Sequence, residues 1–152
     1  MFRGQLLAIY VHGPKGEDLH RVESAEVLAG RGILGDRYCR KDGAGNPDQE
    51  MTLVEMEAVE ALARECSTTL DAVKVRRNLL TRDVPLNHLV GREFQVGEVV
   101  LRGLRLCEPC DHLEKLTATG IKDGLRHRGG LRAQVVVGGT LRAGDAIRPK
   151  ER

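Results

Sequence analysis

Short apolar runs broken by glycine make up most of the chain, and alternation of apolar with polar positions predicts strands. "LLAIYVHG" reads as the first of them. "EDLHRVESAEVLAGRGILGDRY" reads as further short strands joined by tight loops, and "KDGAGNPDQ" as a loop by composition. "GREFQVGEVVLRGLRL" predicts a strand, a turn at Gly97 and a second strand bulged at Gly103. Near the end, Leu131, Ala133, Val135 and Val137 fall on one strand face. Gly138 and Gly139 would turn the chain there into a return strand from Thr140. One segment keeps helical spacing instead. Thr52 and Glu55 have the separation of a capping box, and Val59, Leu62, Ala63 and Cys66 would line its buried face. "LDAVKVRRNLL" fits a short helix or a strand equally, and "DHLEKL" starts a helical turn with Leu113 and Leu116 inward. "FQVGEVVLR" and "TLRAGDAIRP" echo each other as a repeated barrel-edge turn. The pattern as a whole predicts one mainly β domain over 1–152: a small closed β-barrel with two or three flanking helices.

Composition narrows the function classes. The chain has 152 residues, and a domain of that size buries roughly 70% of its unfolded surface without needing covalent staples. Formal net charge is +2, too close to balance to favour nucleic acid as a partner. There is no Trp, and two Tyr and two Phe leave few platforms for stacking bases. The apolar run near the N-terminus is too short to span a bilayer, so we expect a cytoplasmic protein with no membrane partner. Cys39, Cys66, Cys107 and Cys110 are scattered as expected of thiols in a reducing compartment.

The segment "RLCEPCDHLEKL" carries the candidate chemistry. Its cysteine pair, Cys107 and Cys110, has several readings. A structural zinc site needs four ligands, and Cys39, Cys66, His112 and His127 form no second knuckle. A thioredoxin-like redox pair has the strand and helix around it, but the surrounding parallel α/β pattern is missing. Alternatively, Cys110 is one working thiolate at the start of a helix, where free amides and the dipole favour the anion. Glu108 and Asp111 oppose that charge. Two inert buried cysteines complete the set, and Cys107 in particular suits core packing.

Three basic clusters indicate what such a thiolate would hold. Arg37 stands in "GDR", Arg76, Arg77 and Asn78 in "RRN", and Arg128, Gly129 and Gly130 in "HRGGLR". Guanidinium forks match phosphate, and glycines let backbone amides approach an anion. In a nearly neutral chain this favours a phosphorylated small ligand.

The order "GILGDRY", "VRRNLL", "LVGREFQVGEVVLR", "CEPC" and "RGGLRAQVVVGGTLRAGDAI" resembles the MOSC domain family, named for the C-terminal domain of molybdenum cofactor sulfurase. The resemblance runs from about residue 20 to residue 148 and is to the short stand-alone bacterial type. It implies a barrel similar to the one inserted in pyruvate kinase, and binding of molybdenum cofactor, a phosphate-bearing pterin (molybdopterin). By the same resemblance Cys110 would ligate molybdenum or carry a persulfide. Arg37, Arg76, Arg77, Asn78, Arg128, Gly129 and Gly130 would contact the pterin and its phosphate. The implied functions are reduction of N-hydroxylated substrates with a separate electron-donor reductase, or sulfur carriage fed by a separate pyridoxal-phosphate cysteine desulfurase. A non-catalytic binding module is the third reading. No pyridoxal-phosphate domain of the sulfurase kind is expected within these 152 residues. Tyr38 stands where relatives often carry His.

Overall fold

The computed structural model describes residues 1–41, 45–67, 69–109 and 120–150. Seven strands close into a barrel: β1 (Gly4–Val11), β5 (Met51–Glu55), β6 (Leu79–Arg82), β7 (Glu93–Val96), β8 (Val99–Leu106), β9 (Leu131–Val137) and β11 (Ala146–Pro149). The spatial order is β11-β7-β8-β9-β5-β6-β1, and β1 pairs back onto β11 through Gly4↔Ile147. Neighbours are antiparallel except β5 and β6, which are parallel and joined through helix α1 (Met56–Glu65). β2 (His20–Val22) extends the second edge of β1 beyond β11. A separate three-stranded sheet holds β10 (Gly139–Arg142), β3 (Ser24–Leu28) and β4 (Gly32–Ile33). A second helix, α2 (Ile121–Gly124), is short. Among the described residues no helix is long and apolar enough to cross a membrane.

Two apolar cores explain why these strands alternate as they do. Leu6, Ile9, Leu53, Leu79, Phe94, Leu101 and Leu131 fill the barrel. Ala8, Tyr10, Val54 and Leu80 face outward on the same strands and pack with Val59 and Leu62 of α1 and with Leu125. The shift between Leu6 and Ala8 lets Leu6 and Ile9 share the interior although three positions separate them. This is the local effect of a bulge. A second register shift falls at Gly103, as the sequence predicts. A β-carbon there would lie 2.1 Å from the Leu89 carbonyl oxygen, so glycine is what lets that backbone approach.

Several local expectations are corrected. Thr52 does not cap a helix: it lies in β5, and α1 starts after Glu55, whose side chain makes no capping hydrogen bond. Register with β6 and β9 holds Thr52 in the strand and overrides the capping-box spacing. Cys66 ends α1 exposed, not in the core; the inward face is Ala58, Val59 and Leu62. "LDAVKVRRNLL" is both of its alternatives in turn, a 3-10 turn over Ala72–Val75 and then β6. Gly138 and Gly139 do not make a hairpin. The chain leaves the barrel there, and β10 pairs with β3 in the second sheet. Val137 is exposed and does not join Leu131, Ala133 and Val135 inside.

Candidate functional site

A cleft of about 260 Å³ opens where β1, the loop after β4, β5 and the "RRN" segment meet. Its framework is a buried polar knot. Asn78 is 2% exposed. Its Oδ1 accepts from the Thr52 amide at 3.0 Å and the Thr52 hydroxyl at 3.2 Å. Its Nδ2 donates to the Tyr10 carbonyl at 3.0 Å and to Asp36 Oδ1 at 3.2 Å. One amide side chain therefore ties β5 and the end of β1 to the "GDR" loop. Asp36 also accepts from the amides of His12 at 2.6 Å and Tyr38 at 3.0 Å, and lies 2.9 Å from His12 Nδ1. Burial raises the Asp36 pKa, but the hydrogen bonds and the His12 ring outweigh it, so the net shift is downward and the carboxylate stays ionised.

Arg77 draws three sequence motifs together. It is 8% exposed. Its guanidinium donates to the carbonyls of Gly129 at 2.8 Å, Val75 at 3.1 Å and Cys107 at 3.2 Å. The "RRN", "CEPC" and "RGG" segments, far apart in sequence, converge on that one fork. Arg76 precedes it in the left-handed conformation, with φ of 61°, and reaches the Glu17 carbonyl at 2.7 Å.

Arg37, Arg76, Arg77 and Asn78 all line the cleft. Arg128 is not among the lining residues: it bonds the Gly124 carbonyl at 2.8 Å and pairs with Glu65 of α1. Gly129 and Gly130 serve close packing. Added β-carbons would lie 2.4 Å from the Cys107 carbonyl oxygen and 1.9 Å from that of Leu53. Cys107 is buried, lines the cleft, and bonds the Gly130 carbonyl through its amide at 2.7 Å. Cys110 and His112 lie outside the described residues, as do Leu113 and Leu116. His127 is on an exposed loop, its ring 3.2 Å from Glu108. Among the described residues no three His, Cys, Asp or Glu side chains come together as a metal site.

Sequence reasoning missed His12, Lys15, Gln49, Thr52 and Arg132, which also line the cleft. "YVHGPKG" held a usable signal: a strand ending in Gly-Pro turn chemistry exposes the side chains just past the strand end. Gln49 had none, because only the pairing of β5 with β9 brings it near, while Arg132 closes the basic segment "HRGGLR" and was passed over for Arg128. Lys15, Arg37, Arg76, Arg77 and Arg132 make the cleft strongly cationic, and among the described residues no carboxylate lines it. The Arg132 Nε is buried with no hydrogen-bond partner among the described residues, while its Nη1 reaches the Asp48 carbonyl at 3.0 Å. A buried unpaired donor on a cationic wall is what an anionic ligand would satisfy.

A seven-stranded barrel with this cleft defines the class, and the comparisons give the family. The model of the MOSC domain matches residues 40–148. The chain belongs to the MOSC domain family, which is associated with molybdenum cofactor binding. No curated protein matches the chain in sequence. Among solved structures, the YuaD protein from Bacillus subtilis is similar over 99% of this chain and 100% of its own, with 16% identity and a TM-score of 0.82. YiiM from Geobacillus stearothermophilus is similar over 98% of this chain and 76% of its own, at 15% identity and a TM-score of 0.78. YiiM from Escherichia coli gives 18% identity and a TM-score of 0.70 over 97% of this chain and 70% of its own. At these identities the likeness is one of fold.

Proposed function

We propose that this chain binds molybdenum cofactor in the cationic cleft and reduces N-hydroxylated substrates with electrons from a separate donor protein. The observation that carries the reading is the set of five cationic side chains around the cleft, including the Arg132 Nε, which has no partner among the described residues. Lys15, Arg37, Arg76 and Arg132 would hold the phosphate. Arg77 would act from behind them by fixing the Cys107 carbonyl, and so the start of the segment leading to Cys110. Cys110 would ligate the metal as thiolate, a soft donor suited to it. When bound, the cofactor supplies two-electron chemistry. The chain's own residues bind its anion, orient it and close the cleft floor against water through Thr52 and Asn78.

Metal and pterin content tests this directly, on protein purified from a host that makes the cofactor. Wild type is expected to carry molybdenum and pterin in near-equal amounts. Cys110→Ser is expected to lose the metal, and the double change Arg37→Ala/Arg132→Ala to lose both. Metal-free wild type that gains the mass of one sulfur atom after incubation with a cysteine desulfurase would instead make the chain a sulfur carrier.

A further inference from the structure

The knot beneath the cleft contains a group that anion binding does not use. The Asp36 side chain is 2% exposed and that of His12 is 13% exposed. An ionised carboxylate only accepts hydrogen bonds, so the 2.9 Å contact requires a hydrogen on His12 Nδ1. Asn78 Nδ2 lies 3.4 Å from the same nitrogen but is itself a donor, because Asn78 Oδ1 is turned to Thr52. Among the described residues nothing else competes for that position. The tautomer is therefore set by Asp36. An edge-on contact with Tyr38, ring centroids 4.9 Å apart, restrains the ring plane. His12 Nε2 has no hydrogen-bond partner among the described residues, and His12 lines the cleft. The other charged or titratable groups lining the cleft with it, among the described residues, are Lys15, Arg37, Tyr38, Arg76, Arg77, Cys107 and Arg132. A carboxylate holding one imidazole nitrogen while the other meets a ligand is the arrangement of a general acid–base.

We propose that His12 is the proton donor of the cleft, with Asp36 as its positioning residue; this rests on the reading of the cleft as a cofactor and substrate site. Reduction of R–NH–OH to R–NH₂ and water takes up two electrons and two protons. The N–O bond breaks with its pair on oxygen, and the imidazolium form of His12, with Nδ1–H held by Asp36 and a second proton taken from solvent onto Nε2, supplies from Nε2 the proton that makes that oxygen water. The two electrons come from the donor protein, which is oxidised, and the nitrogen takes its proton from solvent. His12 then regains a proton from solvent while Asp36 keeps hold of Nδ1–H.

Long-range proton–nitrogen NMR of histidine-labelled protein tests the geometry without cofactor. The neutral ring of His12 is expected to carry its hydrogen on Nδ1, Asp36→Asn to shift it toward Nε2, and inorganic phosphate to move the Nε2 signal. A wild-type Nε2–H tautomer, or an Nε2 signal indifferent to phosphate while Arg37 responds, would overturn the assignment. In cofactor-loaded protein, His12→Gln is expected to keep its metal and pterin and to lose turnover of an N-hydroxylated amidine by about 10²–10⁴-fold, with one limb of the pH profile gone. Full turnover in that variant overturns the proposal. Wild type without cofactor overturns the cofactor reading instead, and the NMR result then decides the assignment of His12 alone.

Discussion

Asn78 was expected at a phosphate, as an amide beside two arginines. Its side chain is instead consumed by the protein, with Thr52, Tyr10 and Asp36 as partners. Removing it would leave several buried groups unpaired, and each such loss costs on the order of 1–3 kcal/mol. Asn78→Ala is therefore expected to lower stability by about 3 kcal/mol, measured by urea unfolding, before any effect on ligand binding is read. Asp36 adds a pH dependence. Its folded-state pKa lies below the ordinary carboxylate value, so its contribution is complete above that value and is lost as pH falls through the lowered one. Wild type is expected to lose stability in that acid range more steeply than Asp36→Asn, read from unfolding midpoints across pH. At this scale the sequence marked the arginines, because Gly and Asn flank them. It could not mark the couple of His12 and Asp36. Twenty-four positions separate the two, and only the return of the chain after β4 joins them.

At the scale of elements, strands were legible wherever alternation ran into glycine, as at β7, β8 and the Gly103 bulge. Gly103→Ala would press a β-carbon into the Leu89 carbonyl, which is backbone and cannot swing away. The expected cost is at least about 2 kcal/mol, with the loss seen in thermal unfolding and the barrel retained. What misled at this scale was local spacing set against tertiary pairing. Thr52 and Glu55 carry helix-start chemistry, yet the strands on either side of β5 claim Thr52, through pairing with Arg132 of β9 and bonding to Asn78 just before β6. Gly138–Gly139 has the chemistry of a turn, yet the partner of the following strand is β3, more than a hundred positions earlier. Nothing local to the turn encodes that choice.

For the molecule as a whole, net charge and local charge point in different directions. The formal balance of +2 argues against a polyanion, while the cleft gathers five cationic side chains. Such concentration is felt only nearby, since screening in 0.1 M salt sets in over about 10 Å. Binding of inorganic pyrophosphate, followed by calorimetry, is expected to weaken as salt rises. It should weaken further in Arg37→Ala and stay unchanged in Arg128→Ala, whose partner is Glu65. Equal losses in both variants would remove the cleft as the anion site. The closed barrel was readable from the run of short strands, but its β3–β4–β10 annex was not, because annex and barrel strands share the same alternation.

The join between β1 and β11 has a consequence for synthesis. β1 is made first, and the strand that closes the barrel against it is the last to be made. At roughly 5–20 residues per second, β1 would wait on the order of ten seconds for its final partner. During that interval β2, already emerged, covers the far half of the waiting edge at Ile9, Tyr10 and Val11. On that edge the nascent chain thus leaves open the stretch from Gly4 to Leu6, whose partners are Gly144 to Ile147. Ribosome-bound chains arrested before Ala146 should hold β1 and β2 paired yet stay far more open to protease than chains arrested after the last strand has cleared the exit tunnel.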